Sequence, residues 1–374
     1  MKESMNRLAT AYGKLFRTAL SARQQVGKLN RHPRLLVLAF HRVVPDGERT
    51  LRPSLAVSVS SFRQIVKLVR RHFSVLAPCE VADFLRGDLR PDSDAVLFTF
   101  DDGYADNWFN AAPILNEAGI KAAFFVTTGF VAGTHPLWWD VLLASVQQVA
   151  LEKVGDIPKI EEETGVASLA REIVSLPEER RLEETNRLIS LLKNTNAAQR
   201  LALVRRFAEA WNGEEALKKL SLPKALTWQQ VQMLHRQGHE IGAHTVSHAD
   251  LGMLSLEHAR EEIVGSILAL EKVTKSRVRM FAYPSGLPNP HAKRRELSAI
   301  LNELGIELAF STSEGWNAVG GDPLALGRVN MTDTTLTDAH GRFSEDRFYA
   351  VVGGFFRRGG ALRRRLRNAL RSAA

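Results

Sequence analysis

A chain of 374 residues, 45% of them hydrophobic, can bury a large core, as one big domain with an insertion or as two modest ones. Its single cysteine, Cys79, excludes an intramolecular disulfide framework and a thiolate cluster, so a metal site must be built from His and carboxylates; Cys79 itself, after Pro78, reads as a small packing residue. The net charge of +9 sits in the tails, with 8 Lys+Arg against Glu3 in the first 34 residues and 7 Arg in the last 20, so that Leu35 to Gly354 carries −5 and argues against a nucleic-acid partner.

In chain order, Leu8, Tyr12, Leu15, Phe16 and Leu20 recur at helical spacing among Lys14, Arg17 and Arg23, predicting a basic amphipathic segment over 1–34. No apolar h-region follows Met1, so no signal peptide is expected, and no run is long enough to span a bilayer. Leu35 to Phe40 is an almost wholly apolar run, as in a parallel strand covered on both faces, and Asp94 to Phe100 repeats it. Further strands are predicted at Ala122 to Thr127, Glu240 to Ala243, Arg279 to Tyr283 and Glu307 to Ser311, with helices at Asn107 to Glu117 and Leu256 to Val273. This alternation predicts an α/β barrel or a doubly wound sheet, whose ligands gather at the C-terminal ends of the strands.

Between about 151 and 222 the pattern turns to Glu- and Arg-rich helix, read as an insertion capping the barrel, either a solvated bundle, the favoured reading, or a lid that shapes the substrate site. Phe355 to Ala374 places Leu362, Leu366 and Leu370 at helical spacing among five arginines. Such a helix lies on an anionic membrane surface or stays solvated.

Two short motifs carry chemistry. Thr99-Phe100-Asp101-Asp102-Gly103 ends a buried strand in two carboxylates, costly there without a cation or donors, although alone it reads as an Asp-Gly turn. His244-Thr245-Val246-Ser247-His248 follows another strand, and imidazoles four residues apart meet one metal if the segment turns helically. Alone among 11 histidines the pair would be structural. Together the motifs offer one carboxylate and two imidazoles with a coordination position left open, the pattern of a catalytic metal. Trp138 and Trp139 follow the strand at Ala122 to Thr127 and can stack on a sugar ring or pack as core; Trp316 carries the same two readings.

The sequence resembles the polysaccharide deacetylase superfamily of carbohydrate esterases. Thr99 to Gly103 looks like its first motif, His244 to His248 like its second, and Phe281-Ala282-Tyr283-Pro284-Ser285-Gly286 is similar to one version of its third; His41-Arg42-Val43 after a strand, the segment Leu226 to Ile241 leading into the second motif, and Gly327-Arg328-Val329 also look like the exopolysaccharide-associated branch. The likeness covers roughly Leu35 to Asp140 and Pro223 to Gly354.

The resemblance implies a deformed (β/α) barrel and a hydrolase that removes N-acetyl groups from the amino sugars of a polysaccharide or lipid-linked glycan. It implies one divalent metal, zinc before cobalt, nickel or manganese, on Asp102, His244 and His248, with Asp101 as general base and an oxyanion donor near Tyr283, Pro284 and Ser285. Ala282 stands where relatives carry an arginine that orients the base, so Arg328 is the candidate replacement. No Leu-x-His supplies a general acid, leaving His41, if it is not merely a buried structural histidine, or Asp101 acting twice. The competing functions are a silent glycan-binding barrel and an O-deacetylase or other amidohydrolase on the same site. The basic ends and the absent signal peptide lead to the expectation of a cytoplasmic protein, peripheral on the inner membrane face.

Overall fold

The computed structural model describes residues 2–27, 33–148, 169, 172–173, 175–193, 197–212, 220–287 and 291–356. The C-terminal helix expected over Phe355 to Ala374 lies outside them apart from its first two residues.

Six parallel strands follow the apolar runs of the sequence: β1 (Leu35–Phe40), β5 (Ala95–Phe100), β6 (Ala123–Val126), β7 (Glu240–Ala243), β8 (Met280–Ala282) and β9 (Leu308–Phe310), paired side by side in that order. Short β2 (Arg42–Val44) and β3 (Ala56–Ser58) pair apart from this sheet, and β4 (Ser74–Val75) extends β5 on one side. Beyond β9 the chain turns through β10 (Trp316–Asn317), antiparallel to the start of β1, and β11 (Val329–Asn330), parallel to its end. The segment leading into β11 also bridges β9, where Ser311 N–H donates to Leu326 O at 2.8 Å. One extended stretch therefore bonds to both edges of the parallel sheet and curls it into a deformed (β/α) barrel.

The strand pleat sorts the core. Leu35, Val37, Ala95, Leu97, Ala123 and Phe125 belong to a cluster inside the curl, where the Phe125 and Phe310 rings meet at 5.1 Å. Leu36, Leu38, Val96, Phe98, Phe124 and Val126 face the outer helices Val59–His72 and Leu256–Thr274. Each fully buried apolar side chain contributes about 1.5–3 kcal/mol. Counting in twos along β1 and β5 places His41 and Asp101 in phase with the interior, one step past the C-terminal ends of the strands.

Three expectations change: where the cap begins, its solvated character and the packing role of Cys79. The helical cap begins earlier than 151: the helix Trp138–Gln148 packs with helices Glu178–Lys193 and Ala197–Asn212 around Leu142, Leu188, Leu192 and Val204. The cap therefore has its own apolar core and is not a merely solvated bundle. The N-terminal helix Lys2–Gly27 buries Leu8 and Leu20, and Tyr12 OH donates to Gly353 O at 2.7 Å, so its apolar stripe lies on the barrel's last helix with Leu15 left exposed. Cys79 is exposed, because the turn at Pro78–Glu80 buries its proline instead. No described helix is long and apolar enough to cross a membrane.

Candidate functional site

Asp101 and Asp102 leave β5 in a tight turn in which Gly103 N–H donates to Asp101 O at 2.9 Å and Gly103 adopts φ 91°. Asp102 itself is left-handed, at φ 72°, as are Thr245 (63°), His248 (57°) and Ser285 (61°). Such backbone costs of order 1–3 kcal/mol per non-glycine residue and persists only where neighbours over-determine it. Among the described residues, four of the five left-handed non-glycine positions thus sit in the loops at the mouth of the barrel.

The segment from His244 to His248 is not a helical turn, so helical i, i+4 spacing is not what brings its two imidazoles together. Glu262, on the helix Leu256–Thr274, shapes it: the Glu262 carboxylate accepts from Val246 N–H at 2.8 Å, from Ser247 N–H at 2.9 Å and from Ser247 Oγ at 2.6 Å. Thr128 and Gly129 N–H donate to the carbonyls of Thr245 and Val246, and a Cβ on Gly129 would stand 2.6 Å from Val246 O, so only glycine permits this approach.

The two imidazoles are brought together by this loop. Their Nε2 atoms lie 3.5 Å (His244) and 3.3 Å (His248) from Asp102 Oδ1, and the three possible ligand atoms all fall within 4.8 Å of one another. His244 Nδ1 is bonded to Ala282 O at 2.7 Å, which fixes the ring and turns Nε2 toward Asp102. Asp102 is 1% exposed, and neither of its oxygens has a hydrogen-bond partner among the described residues. Burial pushes its carboxyl up, but the imidazoles overcome this and hold it well below the usual carboxylate range. A buried, ionised carboxylate without donors, faced by two imidazole nitrogens, fits a divalent cation.

Beside it, Arg328 grips Asp101 bidentately, at 2.6 and 2.7 Å, with both side chains buried. The guanidinium also donates to Ser311 O and lies over the Phe125 ring, deep inside the barrel. Burial would raise the Asp101 carboxyl, and Arg328 followed by His244 brings it below its ordinary value. His41 lines the same pocket; burial lowers its pKa despite both carboxylates, and its Nδ1 is buried without a partner.

The pocket, of about 130 Å³, is lined also by Arg52, Leu55, Trp138, Trp139, Arg200, Tyr283, Ser285 and Thr312. Trp138 and Trp139 pack in the core of the cap and also line the pocket, with the Trp139 ring 4.6 Å from that of His248. Trp139 is held by a chain in which its Nε1 donates to Tyr104 OH at 3.0 Å and Tyr104 OH donates to Asp140 at 2.9 Å, burial pushing Asp140 up to about 7.

Three sequence expectations lie elsewhere. Pro284 is buried behind the pocket, and the Tyr283 hydroxyl turns away to donate to Leu324 O at 3.1 Å. Trp316 stacks under Arg34 at 4.2 Å, against the start of β1 and so at the opposite end of the barrel. Tyr283 N–H is bonded to Phe310 O, leaving Ser285 N–H as the backbone donor of that turn without an acceptor among the described residues. Glu262, Arg52, Arg200 and Thr312 were not singled out from sequence; a lone acid in a helix and arginines without a motif carry no signal there.

The sequence pattern of the polysaccharide deacetylase family matches residues 88–154 and 178–309. The chain is 31% identical over 111 residues to the polysaccharide deacetylase YxkH of Bacillus subtilis (strain 168), a match that takes in 29% of this chain and 38% of that relative. Among solved structures it is similar to the deacetylase PplD of Streptococcus pyogenes in complex with acetate, with 18% identity and a TM-score of 0.54 over 86% of this chain and 99% of that one. It is also similar to IcaB of Ammonifex degensii, with 19% identity and a TM-score of 0.51 over 86% and 99%. A de-N-acetylase of Aggregatibacter actinomycetemcomitans aligns at 17% identity and a TM-score of 0.50 over 84% and 99%.

Proposed function

The chain belongs to the polysaccharide deacetylase family, and from that premise we propose that it hydrolyses N-acetyl groups of amino sugars, N-acetylglucosamine first, in a polysaccharide or lipid-linked glycan. The observation that carries the reading is Asp102, buried and without donors, facing the Nε2 atoms of His244 and His248. These three residues hold the divalent cation, taken to be zinc. A cation bound there supplies Lewis acidity to an acyl oxygen and lowers the pKa of a water, toward about 7 with zinc.

The chain's own residues do the rest. Asp101, kept ionised and oriented by Arg328, takes the proton of the attacking water, a general-base role that contributes about 10²- to 10⁴-fold. Ser285 N–H donates to the oxygen on which negative charge develops. His41, at the neighbouring strand end, passes a proton to the departing amine. Trp138 and Trp139 flank the sugar ring. The solved relatives named for de-N-acetylation or bound to acetate support the choice of an acetamide. We also propose that the arginines of 355–374 bring the chain to an anionic membrane surface at the cytoplasmic face.

Purified, zinc-loaded protein is expected to release acetate from an N-acetylglucosamine oligosaccharide and to lose that activity with chelator and in His244→Ala. Acetate release that persists undiminished in His244→Ala would refute the assignment.

A further inference from the structure

Two arginines line the pocket without a carboxylate of their own. Arg200, on the cap helix Ala197–Asn212, is 5% exposed and stands 4.9 Å from the centre of the Trp138 ring. Arg52, from the loop before β3, stands 5.7 Å from the Trp139 ring, and its Nε is buried with no hydrogen-bond partner. Neither forms an ion pair among the described residues, whereas half-buried Arg34 holds Asp94, half-buried Arg42 holds Asp106 and buried Arg328 holds Asp101; Arg347, buried and also without an ion pair, instead donates to Thr335 O and Asn6 Oδ1.

The carboxylates of the pocket are already engaged, Asp101 by Arg328 and Asp102 between two imidazoles. Burial lowers both guanidiniums from their ordinary value; the charge of Asp250 reaches Arg200 without pairing with it, as those of Asp102 and Asp140 reach Arg52. Buried cations are ordinarily paired, and guanidiniums left free in a ligand pocket are suited to an oxyanion from outside the chain.

We infer that Arg52 and Arg200 form an anion subsite beside the Asp102, His244 and His248 centre, so that the preferred substrate carries a phosphate or a uronate carboxylate next to the acetylated sugar. The inference rests on the deacetylase reading for its reaction and on these two side chains for its selectivity. The cap thereby acquires a role the barrel cannot fill, since Arg200 reaches the pocket only because its helix is packed on Trp138–Gln148.

The test uses the metal-loaded full chain and three matched sugars: a neutral N-acetylglucosamine oligosaccharide, the same oligosaccharide ending in a glycosyl phosphate, and one with a neighbouring uronic acid. Acetate release is expected with kcat/KM roughly 10- to 100-fold higher for one of the anionic sugars, the two arms telling phosphate from carboxylate. Arg52→Gln and Arg200→Gln should shrink that ratio by a similar factor, mainly through KM, and Arg200→Lys should restore part of it. A purely stacking role would lower all three substrates alike, and a ratio near one in the parent protein, or unmoved in both variants, overturns the subsite. If no sugar releases acetate, the deacetylase reading fails instead. The subsite is then decided by calorimetric binding of the corresponding free amino sugars: an anionic preference lost in both variants upholds it, and equal binding overturns it.

Discussion

The two walls of the pocket are built differently. On the strand side, Asp101 and Asp102 follow β5 and His244 and His248 follow β7, with β6 between the two strands; Asp102 and His248 have left-handed backbone, and each of the four is fixed by a specific neighbour: Arg328, the paired imidazoles, Ala282 O or the Glu262-anchored loop. On the cap side, Arg52 and Arg200 lie against Trp138 and Trp139 and are held by stacking and apolar packing. Directional bonds hold a geometry to fractions of an ångström, whereas ring stacking tolerates movement. The difference teaches that, under the proposed function, the reacting groups stand on the rigid strand ends and the groups proposed to choose among substrates stand on one barrel loop and one cap helix.

The sharpest way to break this contrast is Asp102→Asn, which should lower kcat/KM by more than about 10³-fold and abolish bound zinc in a metal assay. Retained zinc and activity would remove the strand wall from the chemistry. Arg328→Met should cost about 3–5 kcal/mol in denaturant unfolding, because it strands the buried Asp101 charge, together with a fall in kcat. Glu262→Gln removes no direct contact with the pocket, yet it should weaken zinc affinity by about 10- to 100-fold through the loop that presents His248.

The smallest effect lies away from both walls. His239, buried before β7, accepts Ala122 N–H at 3.2 Å, and burial with Lys121 nearby lowers its pKa from 6.5 to about 4. The unfolded chain then binds the proton that the folded chain refuses, so stability is lost as pH falls below 6.5. Between pH 7 and 5 this group should remove about 2 kcal/mol, and the pH dependence of the denaturation midpoint should flatten by that amount in His239→Gln. An unchanged slope would show that the imidazole is not held neutral.

Much of the strand wall was legible from local sequence. Runs such as Leu35 to Phe40 and Ala123 to Val126 are apolar throughout because both faces of a barrel strand are covered, so their positions, and the polar residues directly after them, could be read without tertiary knowledge. The cap was read as beginning too late because Trp138–Gln148 is apolar enough to pass for barrel core. The closing segment around Leu326 to Asn330 was missed as strand, since two-residue pairings carry no period.

By itself the sequence determined which residues end each strand, and with them the carboxylates and imidazoles proposed as metal ligands and base, since burial and the twofold pleat are local properties. Only the tertiary structure decided that Arg328 meets Asp101 across 227 residues, that Glu262 bends the histidine loop, and that Arg200 crosses from the cap into the pocket. Those pairings depend on distances between elements, which no periodicity along the chain encodes.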